Sequence, residues 1–174
     1  MPSEGKRLFI DYSKCIGCTT CEAVCKFTYG LPRIHMTRTC DGVEVPLYCQ
    51  HCEKPMCMKV CPYEALYKDG SGAVLQRTWV CEKCDSFACM DACPFGAMFC
   101  TGDVMKVLKC DMCRLRREQG MPPACVEMCP TEAIVFVERA EVPKLQTEQA
   151  TAAFKRVMDH IRPKLTVIQP LRQD

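Results

Sequence analysis

A small α+β fold, assembled from one cysteine-bearing unit used about four times, is what the sequence predicts. Three observations carry that expectation. Sixteen of the 18 cysteines fall into four short quartets. The fourth cysteines, Cys25, Cys61, Cys93 and Cys129, recur 36, 32 and 36 residues apart. After three of them comes proline, two residues, alanine and an apolar residue (Pro62 to Leu66, Pro94 to Met98, Pro130 to Ile134). Short strand and hairpin signals follow these units, and one stripe of helical spacing comes last.

The quartets are Cys15, Cys18, Cys21, Cys25; Cys49, Cys52, Cys57, Cys61; Cys81, Cys84, Cys89, Cys93; and Cys110, Cys113, Cys125, Cys129. The second and third share C-x2-C-x4-C-x3-C-P, and the fourth widens to C-x2-C-x11-C-x3-C-P. The first ends in Lys26 instead of proline and matches less closely. Three thiolates on a short loop can wrap one face of a cubane. The fourth, about one helical turn further on, points toward a second cluster, as in two-cluster ferredoxins. The proline stiffens the exit and removes a backbone donor. Zinc instead favours separated C-x2-C pairs. The expectation is iron–sulfur, and since each quartet has its four cysteines, four [4Fe–4S] clusters.

Composition agrees. The 174 residues have room for one domain or two small ones. The 48% apolar content includes the cysteines, so clusters must serve as much of the core, with metal binding coupled to folding. The formal charge is +2 with thiols neutral. Each oxidised cluster with its thiolates adds about −2, so nucleic-acid binding has no support. The segment MPSEGKRLFIDYSK has no apolar signal region and no twin arginine. No run approaches the length of a membrane span. A cytoplasmic location is expected, since a reducing compartment suits metal thiolates.

In chain order, Leu8 to Asp11 reads as a strand, Glu22 to Phe27 as a short helix and residues 28–42 as a surface loop. Gly17 supplies conformational freedom where backbone must approach a cluster. Val43 to Tyr48 reads as a strand. One hairpin pairs Leu66–Lys68 with Ala73–Leu75, and another pairs Ala97–Cys100 with Val104–Val107 across Thr101-Gly102-Asp103. Ile134 to Val137 closes the fold, with Leu8–Ile10 as its expected partner. Ala150, Ala153, Phe154, Val157, Met158 and Ile161 form a helical stripe, with Thr147 as N-cap and Pro163 as stop. That stripe needs cover, either from the protein's own body or from a partner, and the tail beyond Pro163 reads as extended or as a strap.

These motifs resemble a known family: the four-cluster ferredoxin subunits of molybdenum and tungsten oxidoreductases, formate dehydrogenases and hydrogenases. The residues that carry the resemblance are CIGCTTCEAVC, CQHCEKPMCMKVCP, CEKCDSFACMDACP, KCDMC and PACVEMCPTEAI. It implies two ferredoxin-like 2[4Fe–4S] halves, 1–48 with 105–140 and 49–104, followed by an amphipathic helix and tail, 141–174. It also implies nested ligand sets. Cys15, Cys18 and Cys21 go with Cys129, and Cys110, Cys113 and Cys125 with Cys25. Cys49, Cys52 and Cys57 go with Cys93, and Cys81, Cys84 and Cys89 with Cys61. The implied role is an electron-transfer subunit with no catalytic site. Its partner would be a tungsten- or molybdenum-pterin subunit, such as that of a tungsten aldehyde oxidoreductase, or a flavin subunit or further copies of itself. The competing reading is a free polyferredoxin shuttle, or a ferredoxin linked to hydrogenase or carbon monoxide dehydrogenase.

Outside the quartets, Cys40 and Cys100 read as free thiols. His51 reads either as a donor to a cluster sulfur or as a surface histidine. Arg114, Arg116 and Arg117 read as a solvated charge run, with docking to an acidic partner as the alternative. Met56, Met58, Met90 and Met128 are expected to pack between clusters.

Overall fold

The computed structural model describes residues 5–39, 41–82, 84–101 and 104–167. Its strands pair as four separate two-stranded antiparallel sheets. β1 (Lys6–Ile10) pairs with β8 (Ile134–Glu138), Lys6 opposite Glu138 and Ile10 opposite Ile134, so the closing strand returns to the opening one as expected. α1 (Thr20–Tyr29) extends the expected helix at both ends.

The stretch read as loop contains a strand. β2 (His35–Arg38) pairs with β3 (Glu44–Leu47). The turn between them is tied by Thr39, whose hydroxyl donates to Val43 O at 2.9 Å and accepts from Val43 N–H at 3.1 Å. HMTR has no alternation of its own, and its partner strand imposes the extended form. Pro46 is tolerated in β3 because a two-stranded sheet leaves each strand a free edge. Cys40 lies outside the described residues.

β4 (Leu66–Lys68) and β5 (Val74–Gln76) form the next hairpin, one residue further along on the return side than expected. Asp69 Oδ1 explains the shift: it accepts from Ser71 N–H and Ala73 N–H, both at 2.9 Å, and so keeps Ala73 in the turn. β6 (Met98–Thr101) pairs with β7 (Val104–Lys109), with an irregularity at Cys100/Thr101. Gly102 and Asp103 of the expected turn lie outside the described residues. Four helices of four or five residues carry quartet cysteines or adjoin them: α2 (Met56–Lys59), α3 (Thr78–Cys81), α4 (Ala88–Asp91) and α5 (Arg114–Glu118). α6 (Ala124–Glu127) carries Cys125. Buried Ile34, Val45, Val74, Leu75, Met98 and Met112 fill the space among the cysteines. Met58 and Met90 pack against this core, but Met56 and Met128 are exposed, on the outward sides of helices too short to bury two faces.

A 3-10 turn (Arg139–Glu141) and α7 (Val142–Leu145) lead to α8 (Glu148–Val167). The Thr147 hydroxyl accepts from Ala150 N–H at 3.2 Å, as an N-cap does. The helix passes Pro163 instead of stopping there. A proline removes one bond and crowds one carbonyl, and the packed turns before it hold the helix across that gap. Ala150, Ala153, Val157, Met158 and Ile161 are buried, and Phe154 stacks on Tyr12 with centroids 6.2 Å apart. The stripe is therefore covered by the protein's own body, not kept for a partner. The end of the expected strap, 168–174, lies outside the described residues.

Ile161→Ala should cost about 2–5 kcal/mol by opening a cavity under α8. Truncation after Val137 should lower the melting temperature of the loaded protein and speed iron loss. A truncated protein as stable as the full one would show that these contacts contribute nothing.

Candidate metal centres

Each quartet opens with C-x-x-C, and the residue before its second cysteine is left-handed wherever it is described: Gly17 at φ 68°, His51 at φ 43° and Met112 at φ 55°. That twist turns a backbone amide onto the first sulfur. His51 N–H donates to Cys49 Sγ at 3.4 Å, and Met112 N–H to Cys110 Sγ at 3.3 Å. The Gly17 amide does the same for Cys15. Gly17 is also required by space, since a Cβ there would lie 2.9 Å from Glu44 O.

The fourth cysteines explain the repeated alanine. Ala65 N–H donates to Cys61 Sγ at 3.3 Å. The amides of Ala97 and Phe95 bond Cys93, and those of Ile134, Thr131 and Ala133 bond Cys129. Before each alanine stands another left-handed residue: Glu64 at 48°, Gly96 at 57° and Glu132 at 51°. Ala65, Ala97 and Ala133 are at most 2% exposed, leaving no room for a larger side chain. Cys25, which lacks the proline, uses another device. Its sulfur accepts from Arg33 N–H at 3.2 Å and from the Ile34 amide.

Four thiols show how burial and neighbouring cysteines act together. Burial pushes Cys21 up to about 12, with Cys15, Cys18 and Cys129 adding repulsion. Burial raises Cys125 well above the thiol range, with Cys110, Cys113 and Cys25 beside it. Cys57 is pushed to about 11 by burial, then by Cys49, Cys93 and Cys52. Cys89 is pushed to about 12 by burial, then by Cys61, Cys81, Cys57 and Cys84. Two thiols go the other way. At Cys84 and Cys129 burial acts upward but is outweighed by hydrogen bonds, from Phe87 and Ser86 at one and from Ile134 and Thr131 at the other. At Cys21, Cys57, Cys89 and Cys125, cysteines from other parts of the chain add to the effect of burial. Among the described residues, however, no three His, Cys, Asp or Glu converge closely enough for a single metal ion. A cysteine-only donor set, ringed by amides aimed at sulfur, suits a cluster, which spreads its ligands over several irons.

Other side chains support these loops. His51 is 2% exposed, so it is not a surface histidine. Its Nδ1 accepts from Val74 N–H at 2.9 Å, which puts the proton on Nε2, and burial with Lys109, Arg117 and Arg7 holds it neutral. The buried Nε2 has no hydrogen-bond partner among the described residues. The solvated run expected of the arginines holds for exposed Arg114 but not for Arg117 and Arg116. Arg117 binds Asp69 at 3.0 Å, Ser71 Oγ at 2.8 Å and Met112 O at 2.8 Å. Arg116 pairs with Glu127, and Arg114 with Glu118 at 2.7 Å. A further network had no sequence signal beyond its loop setting. Tyr29 donates to Asp111 at 2.6 Å, Arg33 pairs with Asp111 at 2.7 Å, and the Arg33 guanidinium lies over the Tyr29 ring. It clamps the Cys25 turn to the Cys110–Cys113 loop. Cys100 sits in β6 opposite Val107.

Gly17→Ala should place about 1–2 kcal/mol of left-handed strain, plus the Glu44 contact, on one loop. The loaded protein should then lose iron from that loop's cluster first, read as a fall in iron and sulfide with the remaining clusters intact. Full retention would show that this turn is not needed.

No helix among the described residues is long and apolar enough to cross a membrane. A family model described as a 4Fe-4S dicluster domain matches residues 40–139, and one described as a 4Fe-4S binding domain matches residues 6–27. The electron transport protein HydN of Escherichia coli (strain K12) is 33% identical over 167 residues, covering 82% of this chain and 93% of that protein. The B subunit of the anaerobic dimethyl sulfoxide reductase of the same strain is 35% identical over 164 residues, covering 83% and 79%. Its counterpart in Haemophilus influenzae is 31% identical over 181 residues, covering 91% and 86%. Cysteine loops built for clusters, two matching domain models and relatives matched over most of their length lead to one conclusion: the protein belongs to the 4Fe-4S dicluster-domain family, as an electron-transfer iron–sulfur protein and not a catalytic subunit.

Proposed function

We propose that the protein holds four [4Fe–4S] clusters in a line and relays single electrons between a catalytic oxidoreductase subunit and a second redox partner. The ligand sets are nested. Cys15, Cys18, Cys21 and Cys129 hold the first cluster, and Cys25, Cys110, Cys113 and Cys125 the second. Cys49, Cys52, Cys57 and Cys93 hold the third, and Cys61, Cys81, Cys84 and Cys89 the fourth. One observation carries this reading: the charge of Cys93 bears on Cys52 and Cys57, although Cys93 closes the third quartet in sequence. The linear order is supported by influences between sets, of Cys21 on Cys125, of Cys49 on Cys110 and of Cys57 on Cys89. Residues 1–48 with 105–140, and 49–104, then form two ferredoxin-like halves, with 141–174 as an amphipathic appendage.

Bound clusters supply reversible one-electron storage. The protein's residues bury the sulfurs, aim amides at them and keep water away, and these contacts set the potentials. The two ends of the line are the accessible ones. Cys18 is exposed beside Ile16, and Phe27 on the same segment is 91% exposed. At the other end Trp79, near Cys81, is 69% exposed. A relative named as one subunit of a reductase supports a permanent catalytic partner, and the family resemblance favours a tungsten- or molybdenum-pterin one. We place the protein in the cytoplasm, where thiolates stay reduced. The free-shuttle reading is favoured by the relative named simply as an electron transport protein.

Anaerobic protein should bind about sixteen irons, four per cubane. Cys93→Ser should damage the cluster of Cys49, Cys52 and Cys57 and spare that of Cys81, Cys84 and Cys89. Electron paramagnetic resonance of the variant decides this, and loss of the fourth cluster alone would overturn the nesting. Affinity purification from native cells separates the roles: a pterin-containing subunit should accompany the protein, and isolation as a lone protein would favour the shuttle.

A further inference from the structure

Lys109 is buried, at 3% exposure, although it carries a charge. It ends β7, opposite Met98. Its Nζ donates to the carbonyl of Val74 in β5 and to that of Cys110 at 2.6 Å. None of the ion pairs among the described residues includes it. A buried ammonium is costly without a counter-charge, and two carbonyl dipoles do not supply one. The thiolates of bound clusters would. Lys109 holds the carbonyl of Cys110, in the second ligand set. The Val74 it also holds donates its N–H to His51 Nδ1 at 2.9 Å, and the His51 N–H donates to Cys49 Sγ at 3.4 Å, in the third set. The Lys109 charge also bears on Cys110, Cys57 and Cys93. The one carboxylate beside this loop, Asp111, is already held by Arg33 at 2.7 Å and by the Tyr29 hydroxyl at 2.6 Å.

We propose that Lys109 is the shared counter-ion of the two inner clusters, a fixed ammonium between the second and third ligand sets that favours the reduced form of both. This rests on the nested sets proposed above. When one electron arrives from a low-potential donor, a cluster with its four thiolates goes from about −2 to −3. No bond breaks and no proton moves. Lys109 offsets the added charge, with an effect that falls with distance and so favours the inner pair over the outer one. The alternative is a plain strut that ties β5 to β7 through the Val74 carbonyl.

Two variants of the full-length, cluster-loaded protein separate these. Lys109→Gln keeps a donor and removes the charge, whereas Lys109→Arg keeps the charge. In a titration with reduced viologen mediators, followed by electron paramagnetic resonance, the Gln variant should move two of the four potentials to more negative values. The other two should stay in place, and the Arg variant should stay near the unsubstituted protein. A Gln variant that loses the two inner clusters while the Arg variant keeps all four supports the same conclusion. Unchanged potentials, an equal shift of all four, or equal iron loss in both variants would overturn it. Failure of the nested sets would show separately, in the unsubstituted protein as iron well short of about sixteen, or in Cys93→Ser as an intact third cluster.

Discussion

The hydrogen bond from a backbone amide to a cysteine sulfur is the contact on which this structure depends. Strands of three to six residues in isolated pairs, and helices of a single turn, are not stable alone. Here their work is to place amides. The left-handed residues at Gly17, His51 and Met112, and at Glu64, Gly96 and Glu132, turn those amides inward at the opening and the close of the loops. Non-glycine residues in that conformation are strained, and the strain persists where the surroundings over-determine it. Sulfur at the centre of each loop provides that constraint.

Burial creates a gradient along the molecule. Cys110 and Cys125 are buried, whereas Cys18 is exposed and Cys84 and Cys129 are half-buried. Buried thiols resist ionisation without metal, and bound metal inverts that preference. Anionic clusters in the interior then need compensation from fixed dipoles and charges, because the interior screens them poorly. Amides supply part of it everywhere. On our proposal Lys109 supplies more between the second and third ligand sets. Solvent exposure and hydrogen bonds to sulfur are the protein's means of spacing potentials along such a line.

The arginines illustrate how charge that looks like surface is drawn into the scaffold. Arg117 joins the Met112 loop to the Asp69 turn, and Arg33 joins the Cys25 turn to Asp111. Both connect segments far apart in sequence. Arg33 ties loops of two quartets and Arg117 ties a quartet loop to the β4–β5 turn, so their contribution is positional as well as energetic. Fork-shaped guanidinium donors suit that role better than a point charge would.

The sequence by itself determined the chemistry. Sixteen cysteines at ligand spacing, the trailing prolines and the repeated alanine specify cluster loops, because that information is local: a turn, an amide and a sulfur within five residues. It also located three of the four strand pairs and the α8 stripe. Only the tertiary structure decided the rest. The β2 strand exists because β3 lies beside it. The helix crosses Pro163 because earlier turns are packed, and the stripe is covered because Tyr12 and its neighbours happen to face it. In the sequence His51, between two ligands, has a sulfur-donor and a surface reading both open, and Lys109 looks like an ordinary polar residue. Their burial is decided only when Val74, more than twenty residues from each, is brought between them. Long-range contacts carry no local periodicity, so nothing in the order of residues could have announced them.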